Sequence, residues 1–317
     1  MRSSQVIVAV DLPRIRANAQ AIREATQVAI IAVVKADAYG LGAAEVARAV
    51  AGVVDGLAVF SLAEAQAADL WQASRMDILA MGPPDGPPEA YRKAHVRPAV
   101  STVHQARRYR HLHPAVCVDT GMRRFACPLD QVAAVVAAGD SAEAFTHAVV
   151  PAHARRLLKA TRRLDVKRHA AASSLVGVPE AHLDAVRPGF LLYRGAVRVS
   201  APLVAAAAVP GRIGYSGFRS PRHGIILAGY AHGLRVGWCL VNGHRRRIRE
   251  IGMQTAYLDV GDDDAVGDDV VLLGDGLSEE ELAGDWGARP HEVLITLSGA
   301  GERVYRRRAP VRARRRR

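Results

Sequence analysis

From residue 11 to about 193, apolar positions fall into short β-branched runs, separated by stretches in which they recur every three or four residues. The runs predict strands at 28–34, 56–60, 78–81, 98–100, 115–119, 144–147, 167–170 and 185–188. The intervening alanine-rich stretches predict helices at 43–53, 62–70, 131–138 and 152–161. Before them, Asp11 with Pro13 in the first turn opens a helix over 13–24. Strand and helix alternating this often argue for a parallel sheet closed by helices, and the count suits an α/β fold of the eight-fold (β/α)8, TIM-like barrel type.

Past Tyr193 the pattern changes. Glycines come at short intervals, and β-rich runs follow at 213–215, 224–228, 247–251, 256–260 and 270–273. Val241-Asn242-Gly243-His244 carries the Asn-Gly signal of a tight hairpin. One short helix fits 278–284. The expected layout is a barrel over 11–195, then a mostly antiparallel β C-terminal domain over 196–305 with residues 1–10 packed on it, and a basic disordered tail over 306–317. The proline-rich stretch 83–88 reads as a rigid surface loop, because barrel texture continues on both sides of it.

Half of the 317 residues are apolar, ample for a core, and no apolar run is long enough to span a bilayer. The stretch before the first strand-like run, 6–10, lacks a secretory apolar region, which predicts a cytoplasmic protein. Cys117, Cys127 and Cys239 are an odd count without metal spacing, so reduced thiols and no metal site are expected. The net charge of +12 invites a nucleic-acid reading, but eight arginines lie at or beyond Arg306, and without them the charge is +4. A mildly basic body with an arginine tail is not the one-face patch of a specific nucleic-acid binder. Non-specific binding by the tail stays open.

Candidate chemistry concentrates at Ala32-Val33-Val34-Lys35-Ala36-Asp37-Ala38-Tyr39-Gly40. Lys35 would stand at the C-terminal lip of a parallel strand, where barrel enzymes place their working groups. A partly desolvated amine there loses its proton more easily and can attack a carbonyl to form a Schiff base. From this stretch alone, a solvated strand-end lysine fits as well. Gly40-Leu41-Gly42 half-matches a dinucleotide fingerprint but lacks the third glycine.

This stretch resembles the cofactor-lysine motif of the alanine racemases, barrel enzymes that use pyridoxal 5'-phosphate. The segments Val118-Asp119-Thr120-Gly121-Met122, Val186-Arg187-Pro188-Gly189, Gly267-Asp268 and Arg303-Val304-Tyr305 follow in that family's order. The resemblance implies a pyridoxal-phosphate isomerase interconverting L- and D-alanine with two bases. It also implies a homodimer with shared sites and a role in supplying D-alanine for the cell wall. By that resemblance Lys35 holds the cofactor and is one base, and Tyr215, given by the partner subunit, is the other. Tyr39, Ser173, Gly189 and Phe190 would surround the phosphate, and Arg187 would face the ring nitrogen. Because an unperturbed phenol titrates near ~10 and is a poor base at neutral pH, His147 is the expected neighbour of Tyr215. Arg124 and the backbone of Met253 would hold the substrate carboxylate, and Tyr230 would line the entrance.

The chain departs from the family pattern in places. Cys117 stands where a lysine, often carbamylated, orients the arginine. Ala172 replaces an asparagine, and His232 and Gln254 replace aspartates. The region between Arg187 and Tyr215 is also shorter than usual. A racemase of another small amino acid such as serine, or a paralogue that binds cofactor without turnover, therefore remains open.

Overall fold

A computed structural model describes residues 6–307. The expected tail lies, from residue 308 onward, outside the described residues, as do residues 1–5. The chain divides into two compact units. One comprises 15–38 and 42–192, and the other 39–41, 193–307 and the residues up to 14.

Sixteen strands are described. β1 (Ile7–Asp11) belongs to the second unit. β2 (Ala29–Val33), β3 (Gly56–Val59), β4 (Asp77–Ala80), β5 (Val96–Val100), β6 (Ala115–Cys117), β7 (Glu143–Ala148), β8 (Lys167–Ala172) and β9 (Ala185–Arg187) make the first. These eight pair in sequence order, all parallel, and β9 closes on β2 through Ala29 opposite Ala185 and Ile30 opposite Val186. All eight expected barrel strands are found. The interior is filled by small and apolar side chains, among them Leu79, Ala99, Ala115, Cys117 and Phe145. The connecting helices bury one stripe. Ala43–Val50 buries Ala43, Val46, Ala47 and Val50, the i, i+3, i+4, i+7 spacing of a core-facing helix. Ser61 and Thr102 cap the helices Leu62–Ala67 and Val103–Arg108 by accepting the third backbone N–H. The helix expected over 62–70 breaks at Asp69, whose φ of 43° leaves the right-handed region, and resumes as Leu70–Ser74. Part of the expected 83–88 loop is helical, since Pro88 opens the helix Pro88–Ala94.

The second unit is built on β10 (Val197–Ala207), β11 (His223–Ile226), β12 (Gly237–Val241), β13 (His244–Ile251), β14 (Ala256–Asp259), β15 (Asp269–Leu273) and β16 (Glu302–Arg306), together with β1. Their order is β11-β14-β13-β12-β15-β10-β1-β16, and β11 pairs again with β10, bending the sheet back on itself. Every pairing is antiparallel except β1 with β16. The β12–β13 hairpin turns at Asn242 and Gly243 with φ of 51° and 78°, the two positive values its tight turn requires. The strand expected at 213–215 is absent. Ile213 and Phe218 make one isolated bridge, and Gly214 and Gly217, each at φ 67°, fold the residues between them into a turn.

Candidate active site

Lys35 follows β2 directly, at the C-terminal lip of the barrel, and begins the helical turn Lys35–Gly40. That turn has the uncommon hand. Ala36, Asp37, Ala38 and Tyr39 have φ of 52°, 52°, 54° and 61°, and Gly40 has 81°. Left-handed helix costs L-residues roughly 1–2 kcal/mol each, and runs of it are rare. Surrounding bonds over-determine the turn. Ala38 N–H donates to the Val34 carbonyl and Gly42 N–H to the Asp37 carbonyl, while the Asp37 carboxylate accepts Ala43 N–H at 2.7 Å. Glu64 accepts Ala36 N–H at 3.1 Å on one oxygen and Phe60 N–H at 2.8 Å on the other. Backbone strain held this firmly clusters at functional sites.

Burial lowers the Lys35 pKa from its ordinary value. The Arg124 and Arg187 guanidiniums push the same way, and Glu64 opposes them. Arg187, at the end of β9, is 3% exposed. It donates to His169 Nδ1 at 3.0 Å and to the Thr146 carbonyl, and its guanidinium lies 4.8 Å from the Phe145 ring centre. Burial brings Arg187 down to about 10, so it keeps its proton at neutral pH.

Behind Arg187, a polar chain runs toward the other end of the barrel. Because a guanidinium only donates, His169 Nδ1 must accept, which leaves the Nε2 proton for Glu143 Oε1 at 2.6 Å. The second Glu143 oxygen accepts from Arg97 at 2.8 Å, and Arg97 holds both oxygens of Asp77. Glu143 and Asp77 are the first residues of β7 and β4, so the chain ends at the barrel floor. Burial pushes the Glu143 carboxyl up, but the His169 hydrogen bond and Arg97 outweigh it and leave it at about 2. Burial also lowers His169, with Arg187 adding to it, so the imidazole stays neutral.

Around the mouth, His147 is exposed at its ring, yet partial desolvation and the Arg187, Arg124 and Lys35 charges lower its pKa from the ordinary imidazole value. Arg124 is exposed and stacks over Phe125, 5.1 Å from the ring centre. Burial raises the Cys117 thiol to about 11, so a neutral group occupies the position where the resemblance implies an orienting lysine. Ser173 Oγ accepts Gly189 N–H at 3.0 Å and Leu191 N–H at 3.3 Å, bringing two amide donors and a hydroxyl to one point beside Phe190. Those two amides are already spent on Ser173, so the donor this point offers to a phosphate is the Ser173 hydroxyl proton.

In the second unit, Tyr39 packs on Tyr193 with ring centres 5.0 Å apart. Tyr215, Tyr230 and Met253 are 90%, 58% and 60% exposed. They meet at one turn. The Tyr215 ring lies beside Gly252, Tyr230 N–H donates to the Gly252 carbonyl at 3.0 Å, and Ala231 N–H donates to the Met253 carbonyl at 3.0 Å. Any side chain at Gly229 would run into those same carbonyls. His232 Nδ1 accepts Gly229 N–H at 3.1 Å and so caps the turn Tyr230–His232. Glu143 and Glu250 sit in no recognisable motif of the sequence. Glu64 does leave a signal there, as the last residue of Ser61-Leu62-Ala63-Glu64, a helix-start pattern.

An amine whose proton is loosened by burial at the mouth of a closed parallel barrel, joined to an antiparallel second domain, is the arrangement of a barrel enzyme that works through a lysine. The profile for the alanine racemase N-terminal domain matches residues 10–197, and that for the C-terminal domain matches 204–305. An alanine racemase of Sorangium cellulosum is 30% identical, over 94% of this chain and 98% of its own length. The solved alanine racemase of Streptomyces coelicolor superposes with a TM-score of 0.87 at 25% identity, covering 96% and 99% of the two chains. The Bartonella henselae alanine racemase, solved with covalently bound pyridoxal phosphate, shares the fold with a TM-score of 0.84 at 22% identity, covering 95% of this chain and 99% of its own. The chain belongs to the alanine racemase family. It is an isomerase of the pyridoxal-phosphate-dependent racemase class. The residues at the mouth fit that cofactor: an amine poised for an aldehyde, a buried permanent donor at Arg187, and the Ser173 hydroxyl beside Gly189.

Proposed function

We propose that this protein interconverts L- and D-alanine by a two-base mechanism, as a homodimer in which each site takes residues from both chains. The observation that carries this is Lys35 at the barrel lip, its proton loosened by burial and by Arg124. The relatives are named alanine racemases, which supports alanine as substrate. Lys35 would hold pyridoxal phosphate, with Ser173, Gly189, Phe190 and Tyr39 at its phosphate. Bound there, the cofactor supplies an electron-withdrawing ring that acidifies the α-C–H of an amino acid. Arg187 would donate a hydrogen bond to the ring nitrogen without giving up a proton, which favours simple proton exchange over transamination.

Lys35 Nζ then takes or returns the α-proton of the D-antipode, and the Tyr215 hydroxyl of the partner subunit does so for the L-antipode on the opposite face. His147, kept neutral among cations, is able to accept a hydrogen bond from that phenol. Arg124 and the Met253 N–H would hold the substrate carboxylate, and Tyr230 would narrow the entrance against long side chains. The exposure of Tyr215, Tyr230 and Met253 supports the dimer, since it leaves them available to a second chain. The reading assigns the enzyme to the cytoplasm, with D-alanine for the cell wall as product. No helix among the described residues is long and apolar enough to cross a membrane.

The test is solvent-deuterium exchange at the α-carbon, read separately for each antipode alongside the cofactor absorption band. Lys35→Ala is expected to lose the band and all exchange. Tyr215→Phe is expected to keep the band and the D-alanine exchange while losing racemisation and L-alanine exchange by about 10²–10⁴-fold. A wild-type protein with the band but without exchange on alanine or serine would sink the reading. That outcome would favour a cofactor-binding paralogue without turnover, to which the neutral Cys117 beside the site lends some weight. Exchange on serine alone would move the substrate, not the class.

A further inference from the structure

We propose that Glu250 is a positioning residue for Tyr215, its carboxylate fixing the turn from which the phenol projects. This inference rests on Tyr215 being the base for the L-antipode. The Tyr215 ring is 90% exposed, so its own packing does little to decide where the hydroxyl sits. Backbone anchoring decides it. The two Glu250 oxygens accept consecutive amides, Tyr215 N–H at 2.6 Å and Ser216 N–H at 2.7 Å. Charge-assisted bonds of this kind are roughly twice as strong as neutral ones. Gly214 and Gly217, both at φ 67°, bracket the two amides. A side chain at Gly214 would collide with the carboxylate, so the glycine and the glutamate form one device.

The strand beneath supports it. β13 bulges against β14 between Ile248 and Glu250, which re-aims the side chains there. Arg249 points its guanidinium at Phe218, 5.8 Å from the ring centre, and Phe218 meets Tyr257 edge-on. Phe218 also bridges back to Ile213. Two adjacent β13 residues therefore hold the turn, Arg249 at its closing end and Glu250 at its apex. The Ser216 hydroxyl, followed by the Ser216 and Tyr215 amides, holds the Glu250 carboxyl below its ordinary range, so it is anionic at neutral pH.

Full-length, cofactor-loaded Glu250→Ala, Glu250→Gln and Tyr215→Phe proteins are compared by α-deuterium exchange on L- and D-alanine. Amide hydrogen exchange at residues 214–217 of the cofactor-free proteins is measured in parallel. Glu250→Ala is expected to speed exchange of the Tyr215 and Ser216 amides and to slow L-alanine exchange about 10- to 100-fold, the scale of a misplaced catalytic group. D-alanine exchange stays within about twofold. Glu250→Gln, which keeps one acceptor oxygen, recovers part of the loss. Equal slowing on both antipodes, or unchanged L-alanine exchange where Tyr215→Phe abolishes it, would overturn the positioning role and leave the two-base reading standing. Unchanged L-alanine exchange in Tyr215→Phe itself would overturn that reading, and this inference with it.

Discussion

The barrel mouth and the tyrosine–methionine turn of the sheet are built on opposite plans. In the barrel, Lys35 and Arg187 get their properties from burial, and each charge is answered by a neighbour: Glu64 for the lysine, and His169 backed by Glu143 for the arginine. In the sheet, Tyr215, Tyr230 and Met253 stand in solvent and are placed by their backbones. A group whose work depends on its electric surroundings has to be enclosed, and one chain encloses it. A group that must meet something from outside has to be left open, and there precision comes from main-chain bonds.

The difference is open to direct attack. Glu143→Leu removes the acceptor of the His169 N–H and the counter-charge between two arginines. Breaking a buried ion pair costs about 3–5 kcal/mol, read as lost denaturant stability. Met253→Ala, exposed in the single chain, is expected to move the monomer's stability, read at dilutions that dissociate the dimer, by no more than about 0.5 kcal/mol. Equal costs at both positions would erase the contrast. Arg124→Leu takes away a positive neighbour, so the Lys35 pKa rises toward its ordinary 10.5 and less free amine is present at neutral pH. Cofactor capture, followed by absorbance across pH, should slow several-fold at neutral pH and recover as pH rises, whereas Tyr215→Phe should leave that profile in place. The smallest effect concerns strain. Ala36→Gly relieves a left-handed penalty of about 1–2 kcal/mol and returns part of it as chain entropy, about 0.4–1 kcal/mol. A net stabilisation of about 0.5 kcal/mol in denaturant midpoints is expected, and a destabilisation would show that the turn carries no such penalty.

The two plans also explain what was legible in the sequence. Barrel strands are apolar on both faces, so runs such as Ala29–Val33 announce themselves. β10 does not, because Pro202 and a string of alanines hide an eleven-residue strand. β16, Glu-Arg-Val-Tyr-Arg, is charged and mostly exposed, and carries no apolar alternation to read. At the mouth, Lys35, Arg187 and Gly189 sit in contiguous motifs and could be named. Glu143 and Glu250 acquire their meaning only from N–H groups far away in sequence, 26 residues for His169 and 35 for Tyr215. The hand of the Lys35 turn was equally hidden, since nothing in Ala-Asp-Ala-Tyr demands positive φ.

One pairing bears on how the molecule is made. β1 lies between β10 and β16, and all the barrel residues are translated before either neighbour emerges from the ribosome. The nascent chain thus carries an open edge through most of its synthesis, sealed only when Glu302–Arg306 arrives. Premature termination after β9 but before β16 would leave that edge exposed to other chains, with the barrel already able to close.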